Sequence, residues 1–253
     1  SSLCNLKCSM CWQSGDMTVP KTHMDIALFK KMIDEGAANG LAAIKLQSRG
    51  ESLLYPNLLE AIKYASEAGI LDIQLTTNST LIGQTISAVE LVKSGLHKLI
   101  FSYDQSHIAS YKKIYSKDIN LRDKINEVLA AAEVHNLDLK TRIQTFVENP
   151  IDQGIAMKEL KSSFPLCDEF LVNVLWNSST DLPAHEILND YLLEPCTYLW
   201  QRLVVFANGS VSLCCRDFNE TITIGNVAKT SVEDLWTGEL MTKYRNIHLT
   251  DRT

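Results

Sequence analysis

The sequence predicts an α/β fold built on a parallel sheet, followed by a small α+β extension. From about residue 25 to residue 174, short apolar runs of strand length alternate with segments of helical periodicity. A polar, turn-rich stretch at 177–183 ends this alternation, and two short β runs follow around Ala207-Asn208-Gly209. Because strands joined through helices lie parallel in one sheet, the first part predicts a sheet covered by helices.

The hydrophobic pattern places the individual strands and helices. Strands are predicted at 42–47, 70–76, 96–102, 139–147 and 169–174. Helices are predicted over 25–36, from Pro56 onward, over 85–94, after Asn120, over 152–162, and near 231–236 and 238–247. The chain begins without Met, and we expect it to be trimmed at the N-terminus, with a further strand just before residue 1.

Composition narrows the class of protein. The 253 residues are 45% hydrophobic, as is usual for a globular protein, and their formal net charge of −6 argues against a nucleic-acid surface. There is no apolar run of about eighteen residues, so no membrane span is expected. Free cysteines in a cluster spacing indicate a reducing compartment, and a cytoplasmic location is therefore expected.

Three cysteines near the start of the chain carry the strongest chemical signal. Cys4, Cys8 and Cys11 are separated by three residues and then by two. Three thiolates on one loop can hold three corners of an iron–sulfur cube and leave the last iron open to chemistry. A structural zinc site would use paired Cys/His knuckles, but the nearest histidine is His23. A disulfide framework fits poorly, because seven cysteines are an odd number at low density.

Polar motifs follow three of the predicted strands. Ser48-Arg49-Gly50-Glu51-Ser52 follows the strand at 42–47, Thr76-Thr77-Asn78-Ser79 closes the next strand, and Ser102-Tyr103-Asp104-Gln105 follows the third. Reactive groups of α/β barrels cluster at the carboxyl ends of the strands. We therefore expect these motifs and the cysteine loop to share one rim.

The cysteine spacing and these motifs resemble those of the radical S-adenosylmethionine (radical SAM) enzymes. The resemblance implies a partial (βα)6 TIM-like barrel over residues 1–176. It also implies that Cys4, Cys8 and Cys11 hold a [4Fe–4S] cluster whose open iron is chelated by S-adenosylmethionine (AdoMet). One-electron cleavage of AdoMet would yield methionine and a 5′-deoxyadenosyl radical that takes a hydrogen atom from the substrate. An electron donor such as flavodoxin or ferredoxin is then an expected partner, and nucleic acid and membrane are not.

The resemblance also assigns AdoMet contacts. Gly50 would let the backbone approach the ligand, and Glu51 would accept hydrogen bonds from the methionine ammonium. Arg49 stands where the family often has glycine, and it could reach a carboxylate of AdoMet or of substrate. The other assigned AdoMet contacts are Met10, Trp12, Asn78, Ser102 and Arg142. Met10 would rest against the adenine, and Trp12 would do the same or cover the cluster.

Several of these residues have a structural alternative. Asn78 is equally suited to capping a turn. Asp104, the candidate for positioning substrate or accepting its proton, is equally suited to a turn aspartate. Arg142 faces the same side of its strand as Gln144 and needs an anion if buried. That anion is either the AdoMet carboxylate or a glutamate of the barrel.

The C-terminal part carries a second cysteine pattern. Cys196, then Gly209-x4-Cys214, resembles the opening of the SPASM and Twitch extensions, which bind auxiliary iron–sulfur clusters. We predict a linker at 177–195 and a partial extension of this kind at 196–253. The remaining cysteines of the pattern are absent, so the auxiliary site is degenerate or, as we favour, the chain is trimmed and the native protein binds further clusters. Cys215 is expected to face the other side of its strand, and Cys167 to be an ordinary buried thiol.

The function favoured by the sequence is that of a radical SAM oxidoreductase or maturase acting on a peptide or protein. Dehydrogenation of a carbohydrate or aminocyclitol is the second candidate. A non-catalytic iron–sulfur electron carrier with a degenerate barrel is the alternative from another class. Glu51 and Ser102 argue against the carrier, since electron transfer alone requires neither.

Overall fold

The computed structural model describes residues 1–15, 18–135, 138–175 and 195–250. The first part is a sheet of five strands, β1 (Ala43–Leu46), β2 (Asp72–Thr77), β3 (Lys98–Ser102), β4 (Lys140–Val147) and β5 (Glu169–Val174). The strands lie in the order β1-β2-β3-β4-β5, and every neighbouring pair is parallel. The predicted parallel α/β fold is thereby confirmed, and each strand lies within two residues of its predicted ends.

Helices connect the strands. They are α1 (Ile26–Ala38), α2 (Leu58–Glu67), α3 (Ala88–Val92), α4 (Gln105–Tyr115), α5 (Leu121–His135) and α6 (Gln153–Ser163). The helix α3 is shorter than the predicted 85–94. It begins after Ser87, whose side chain forms a capping box with Glu90. Residues before this cap are held in an isolated bridge between Ile82 and Ile86, so they cannot extend the helix.

The two faces of the sheet differ in polarity. One face buries Leu75, Leu99 and Ile143 against the helices, and they form one core with Ile62 of α2 and Leu91 of α3. Because side chains alternate along a strand, the intervening residues lie on the opposite, inner face. These inner residues include Lys45, Gln74, Lys98, Arg142 and Glu169. The inner face is thus polar and charged.

The C-terminal extension is a small antiparallel sheet with two helices. Its elements are β6 (Val204–Val205), β7 (Ser210–Ser212), β8 (Thr223–Asn226), α7 (Val232–Thr237) and α8 (Glu239–Thr250). The predicted hairpin is β6–β7, and β8 adds to it in antiparallel fashion. The extension has its own core around Val211 and Val227, and Leu28 and Met32 of α1 pack against that core.

Two expectations concern the chain between and beyond these parts. The predicted linker at 177–195 lies outside the described residues except for Pro195, which is exposed. In the described ranges, no helix is both long and apolar enough to cross a membrane.

Candidate active site

The cysteine loop lies at the carboxyl edge of the sheet. Cys8 is buried, Cys4 is half-buried and Cys11 is exposed, and none of the three forms a disulfide. A tight turn joins the last two, because the Cys11 amide donates a hydrogen bond to the Cys8 carbonyl at 3.0 Å. Burial raises the pKa of the Cys4 thiol and outweighs the hydrogen bond from the Leu6 amide, which lowers it. Met10, between the last two cysteines, is half-buried.

The segment after β1 holds the start of the cysteine loop in place. The Glu51 amide donates a hydrogen bond to the Leu3 carbonyl at 2.8 Å. A Cβ atom on Gly50 would lie 2.3 Å from the same carbonyl oxygen and 2.7 Å from that of Ser1. Only glycine permits this approach, so Gly50 allows residues 1–3 to lie directly against the segment.

Glu51 is fully enclosed by its own chain. Its carboxylate accepts hydrogen bonds from the Thr77 hydroxyl (2.6 Å), the Asn78 amide (2.7 Å) and the Leu53 amide (2.9 Å). Burial raises the pKa of this carboxyl, whereas the three hydrogen bonds favour the ionised form. Glu51 therefore ties together the ends of β1 and β2. Its three donors belong to this chain, whereas the resemblance implied the methionine ammonium as a donor.

Asn78 connects the end of β2 to the cysteine loop. Its side-chain oxygen accepts hydrogen bonds from the Thr80 amide (3.0 Å) and hydroxyl (2.7 Å). This is the turn-capping role that the sequence analysis gave as the alternative for Asn78. Its side-chain nitrogen donates to the Asn5 side chain at 3.1 Å and approaches the Cys4 sulfur at 4.0 Å. Asn78 thus caps a turn and also touches the loop.

The third rim motif is anchored by the neighbouring strand. Gln144 of β4 donates a hydrogen bond from its side chain to the Ser102 hydroxyl at 3.0 Å. Asp104, immediately before α4, is buried. On α4, the Ser110 hydroxyl accepts a hydrogen bond from the Lys7 amide at 2.7 Å, so this helix also contacts the cysteine loop.

Arg49 and Trp12 have partners in the extension. The Arg49 guanidinium forms an ion pair with Glu220 at 2.7 Å, with the two side chains only 3% and 10% exposed. The Trp12 ring stacks on Phe218 with 4.7 Å between ring centroids. The carboxylate that Arg49 reaches is therefore one of this chain rather than that of AdoMet or substrate. Trp12 stacks on the extension, and 46% of its surface remains exposed.

The assignment of Arg142 to AdoMet is corrected, because its anion is a glutamate of the barrel. Its Nε atom donates a hydrogen bond to Glu169 of β5 at 2.7 Å, and Lys98 of β3 approaches the same carboxylate at 2.7 Å. The structure therefore realises the internal ion pair, because β4 and β5 are neighbours and their register places these side chains next to each other. The hydrogen bond from Lys98, followed in size by that from Arg142, holds the pKa of Glu169 below its usual range.

The cysteines of the extension are all exposed. The Cys196 amide donates a hydrogen bond to His248 on α8 at 3.4 Å, and Cys214 follows β7. The expectation for Cys215 is wrong: β7 ends at Ser212, so strand alternation no longer applies at this position. A hydrogen bond from the Cys215 thiol lowers the pKa of Cys214 to about 6 and raises that of Cys215.

Sequence reasoning missed two residues of the site. Gln13, just after the cysteine loop, donates hydrogen bonds from its side chain to the carbonyl groups of Ser2 (2.8 Å) and Arg49. Glu220 is the buried partner of Arg49. Nothing local marks Glu220, but the arginine at a position where the motif commonly has glycine was a signal that an acidic partner exists.

Comparison with known proteins identifies the family. The radical SAM superfamily model matches residues 1–147, more than half of the chain, so the chain belongs to the radical SAM superfamily. Residues 196–253 match SPASM, described as an iron–sulfur cluster-binding domain. The chain is thus a radical SAM enzyme with a SPASM-type extension, and both matches imply [4Fe–4S] clusters.

Individual proteins share part of this sequence or its fold. A stretch of 166 residues is 28% identical to a protein named "Probable GTP 3',8-cyclase" from Methanothermobacter thermautotrophicus. The match covers 66% of this chain and 51% of the relative, so the chain spans about half the length of that protein. Two solved structures share the fold. The structure of anSMEcpe with bound AdoMet and Kp18Cys peptide has a TM-score of 0.64 and 18% identity, and the match covers 99% of this chain and 82% of that one. The structure of BtrN in complex with AdoMet and 2-DOIA has a TM-score of 0.60 and 20% identity, and the match covers 97% of this chain and 82% of that one.

The residues at the rim fit the implied cofactors. Within the described ranges, no three Cys, His, Asp or Glu side chains are gathered around one point as a single metal ion requires. A [4Fe–4S] cluster makes a different demand, because each thiolate binds a separate iron. Cys4, Cys8 and Cys11 lie on one loop outside any disulfide, so each can supply one thiolate. The Thr76 hydroxyl is buried near this edge without a hydrogen-bond partner in the described part of the chain, as expected of a group that receives a ligand.

Proposed function

We propose that this radical SAM enzyme uses AdoMet bound at the carboxyl rim of the sheet to modify a peptide or protein. The contact between the cysteine loop and the ends of β1 and β2 is the observation that carries the proposal. Glu51 bonds to the Leu3 carbonyl at 2.8 Å, and Asn78 bonds to Asn5 at 3.1 Å, on either side of Cys4. The predicted cluster ligands and the predicted AdoMet contacts are therefore neighbours.

Each group at the rim has a definite task in this proposal. Cys4, Cys8 and Cys11 hold the cluster, which supplies the electron for reductive cleavage of AdoMet when both are bound. Gly50 and Asn78 hold the cysteine loop beside AdoMet, with Met10 against its adenine and Ser102 near its ribose. The carboxylate of Glu51 fixes the loop ends that carry these groups. In the extension, Cys196 and Cys214 are proposed ligands of an auxiliary cluster.

The inner face of the sheet suits a polar substrate. Lys98 and Arg142 share the single carboxylate of Glu169, and Lys45 lies on the same face. Burial and then the charges of Arg202 and Arg142 lower the pKa of Lys45. Leu171 of β5 lies exposed beside these charges. This mixture of charged and apolar groups suits a peptide, whose backbone and side chains offer both kinds of contact.

The test of the proposed class is product formation without oxygen. The reconstituted protein is mixed with dithionite and AdoMet, and 5′-deoxyadenosine is measured by chromatography. We expect the product with the native chain and none with Cys8→Ala. A native protein that holds its cluster and forms no 5′-deoxyadenosine is an electron carrier, and the enzyme proposal is then wrong.

The substrate class needs a separate experiment. Candidate peptides encoded near the gene, aminocyclitols and GTP are supplied in parallel, with one solved neighbour holding 2-DOIA and one relative named a GTP cyclase. We expect a peptide to raise the rate of 5′-deoxyadenosine formation and to change in mass. Stimulation by an aminocyclitol alone favours the second candidate, a dehydrogenase.

A further inference from the structure

Arg49 lies between the cysteine loop and the extension. Its guanidinium pairs with Glu220, donates a hydrogen bond to the Asp217 carbonyl at 2.9 Å and lies 3.4 Å from the centre of the Phe206 ring. All three partners belong to the extension. Its backbone carbonyl accepts a hydrogen bond from Gln13, which follows Cys11 by two residues. One residue therefore contacts the extension with its side chain and the cysteine loop with its backbone.

Two of the three partners of Arg49, Asp217 and Glu220, belong to one turn. We call residues 214–220 the extension turn; it begins at Cys214, the predicted ligand of an auxiliary cluster. Asp217 stabilises its end by accepting hydrogen bonds from the Thr221 hydroxyl (2.7 Å) and the Ser212 hydroxyl (2.8 Å). Phe218 of the same turn stacks on Trp12. The segment that follows Cys214 thus contacts Trp12 directly and also contacts Arg49, whose carbonyl is bonded to Gln13.

The contacts continue from Arg49 to the cluster ligands. Gly50 and Glu51 follow Arg49 directly, and Glu51 holds the Leu3 carbonyl next to Cys4. A buried arginine deprived of its carboxylate is strongly disfavoured, so the loop backbone would shift if the extension turn moved. The position of Cys4 then depends on the docked extension.

We propose that Arg49 is a positioning residue through which the extension turn holds the cysteine loop in the geometry that binds AdoMet. The inference rests on the proposed AdoMet site. It adds that the barrel and the extension are coupled: a docked turn increases AdoMet affinity, and bound AdoMet in return stabilises the docked turn. In this chain, Arg49 stands where the family commonly has glycine, and its side chain links the barrel to the extension.

The test compares AdoMet affinity across variants that share the same overall docking. Arg49→Met removes the ion pair, and Glu220→Gln removes its charge while keeping its size. Lys31→Met is the matched control, because Lys31 also bonds to the extension, at the Val227 carbonyl (2.8 Å), but from α1 and far along the chain from the rim motifs. Reconstituted proteins are compared by equilibrium dialysis with labelled AdoMet, by iron content and by the change of the reduced cluster's EPR spectrum on adding AdoMet.

We expect Arg49→Met to weaken AdoMet binding by about fivefold or more, and Lys31→Met by less than about twofold. Glu220→Gln should lie between them, and Arg49→Lys should recover part of the affinity. Equal weakening by Arg49→Met and Lys31→Met, or native affinity in Arg49→Met, overturns the inference. If Arg49→Met does not fold, Glu220→Gln against Lys31→Met decides by the same criterion. Failure of the native protein itself to bind AdoMet contradicts the proposed function instead.

Discussion

Gly50 has space for a hydrogen atom and nothing larger. A Cβ atom there would lie within 2.8 Å of three backbone atoms of residues 1–3. Backbone atoms cannot give way as the end of a flexible side chain can, so any substitution displaces the segment that leads into Cys4. The sequence identified this glycine from its motif, but it did not identify the carbonyl groups that it makes room for.

The first prediction concerns that contact. Gly50→Ala should lower the free energy of unfolding by about 1–3 kcal/mol, as overpacking commonly does, and should lower the iron bound after reconstitution. Urea unfolding and iron analysis measure the two effects. Gly154→Ala is the control: beyond its chain neighbours and the backbone of α6, no described atom lies within 4 Å of the added methyl group, so stability should be unchanged or slightly higher. Equal stability of both variants would refute the contact.

The second prediction separates the cysteines by role. Cys8→Ala should abolish the visible absorption of the N-terminal cluster, because Cys8 is a proposed ligand on the buried side of the loop. Cys167→Ala should leave the absorption intact, since the Cys167 thiol donates a hydrogen bond to the Glu169 carbonyl at 3.3 Å and is not a proposed ligand. Absorption and EPR spectra after anaerobic reconstitution measure the difference. A full spectrum in Cys8→Ala would remove it from the ligand set.

Single elements were predictable where a local pattern determines them. The strands of the large sheet are apolar runs of strand length, and the pattern located them because their burial against helices is repeated along the chain. The strand β8 was not predicted, because its four residues include Gly225, at φ 152°, and do not form an apolar run of strand length. The direction of Cys215 was predicted wrongly for a related reason: its prediction assumed a strand longer than β7 is.

The third prediction concerns the extension turn and its acid. Burial tends to raise the pKa of Glu220, but hydrogen bonds from Asn208 and Arg49 outweigh it and hold the pKa below the usual value. A depressed pKa means that the ionised carboxylate stabilises the fold above the unfolded value of about 4.3, and that this contribution is lost as the pH falls through the folded value.

Glu220→Gln should therefore lower the free energy of unfolding near pH 7 by about 1.5–3 kcal/mol, the range for hydrogen bonds to charged groups. Its loss relative to the native chain should shrink as the pH is lowered below about 4. Urea titrations from pH 7 down to pH 3.5 measure this. Glu133→Gln on α5 removes the same charge from an exposed site and should change little. A deficit that persists undiminished at the lowest pH would contradict the ion pair.

At the scale of the whole molecule, the barrel part and the extension share contacts on two sides. The Arg49–Glu220 pair and the Trp12–Phe218 stack join them at the rim. On α1, Lys31 bonds to Val227 and Glu35 accepts a hydrogen bond from the Val232 amide at 2.9 Å. Leu28 and Met32 of the same helix complete the core of the extension. The extension takes part of its core from α1, and the barrel part takes the partner of its buried Arg49 from the extension.

The fourth prediction follows from this shared packing. Unfolding in urea should be a single transition, with the near-ultraviolet and far-ultraviolet circular dichroism curves superimposed. The physical reason is that opening the extension exposes a buried arginine and the apolar side chains of α1 at the same time. Two separated transitions would show that the extension unfolds by itself and that the contacts contribute little.

The sequence by itself determined the class of this protein. The features that predicted it are local: three cysteines on one loop, polar motifs after successive strands and a second cysteine pattern near the end. Each can be recognised in the sequence because its chemistry requires particular residues at short spacing. The tertiary structure decided the partners of the charged and aromatic residues. Arg49, Trp12 and Arg142 all reach groups from 27 to 206 positions away along the chain. Such pairs depend on strand register and on how the extension docks, and a local pattern carries no information about either.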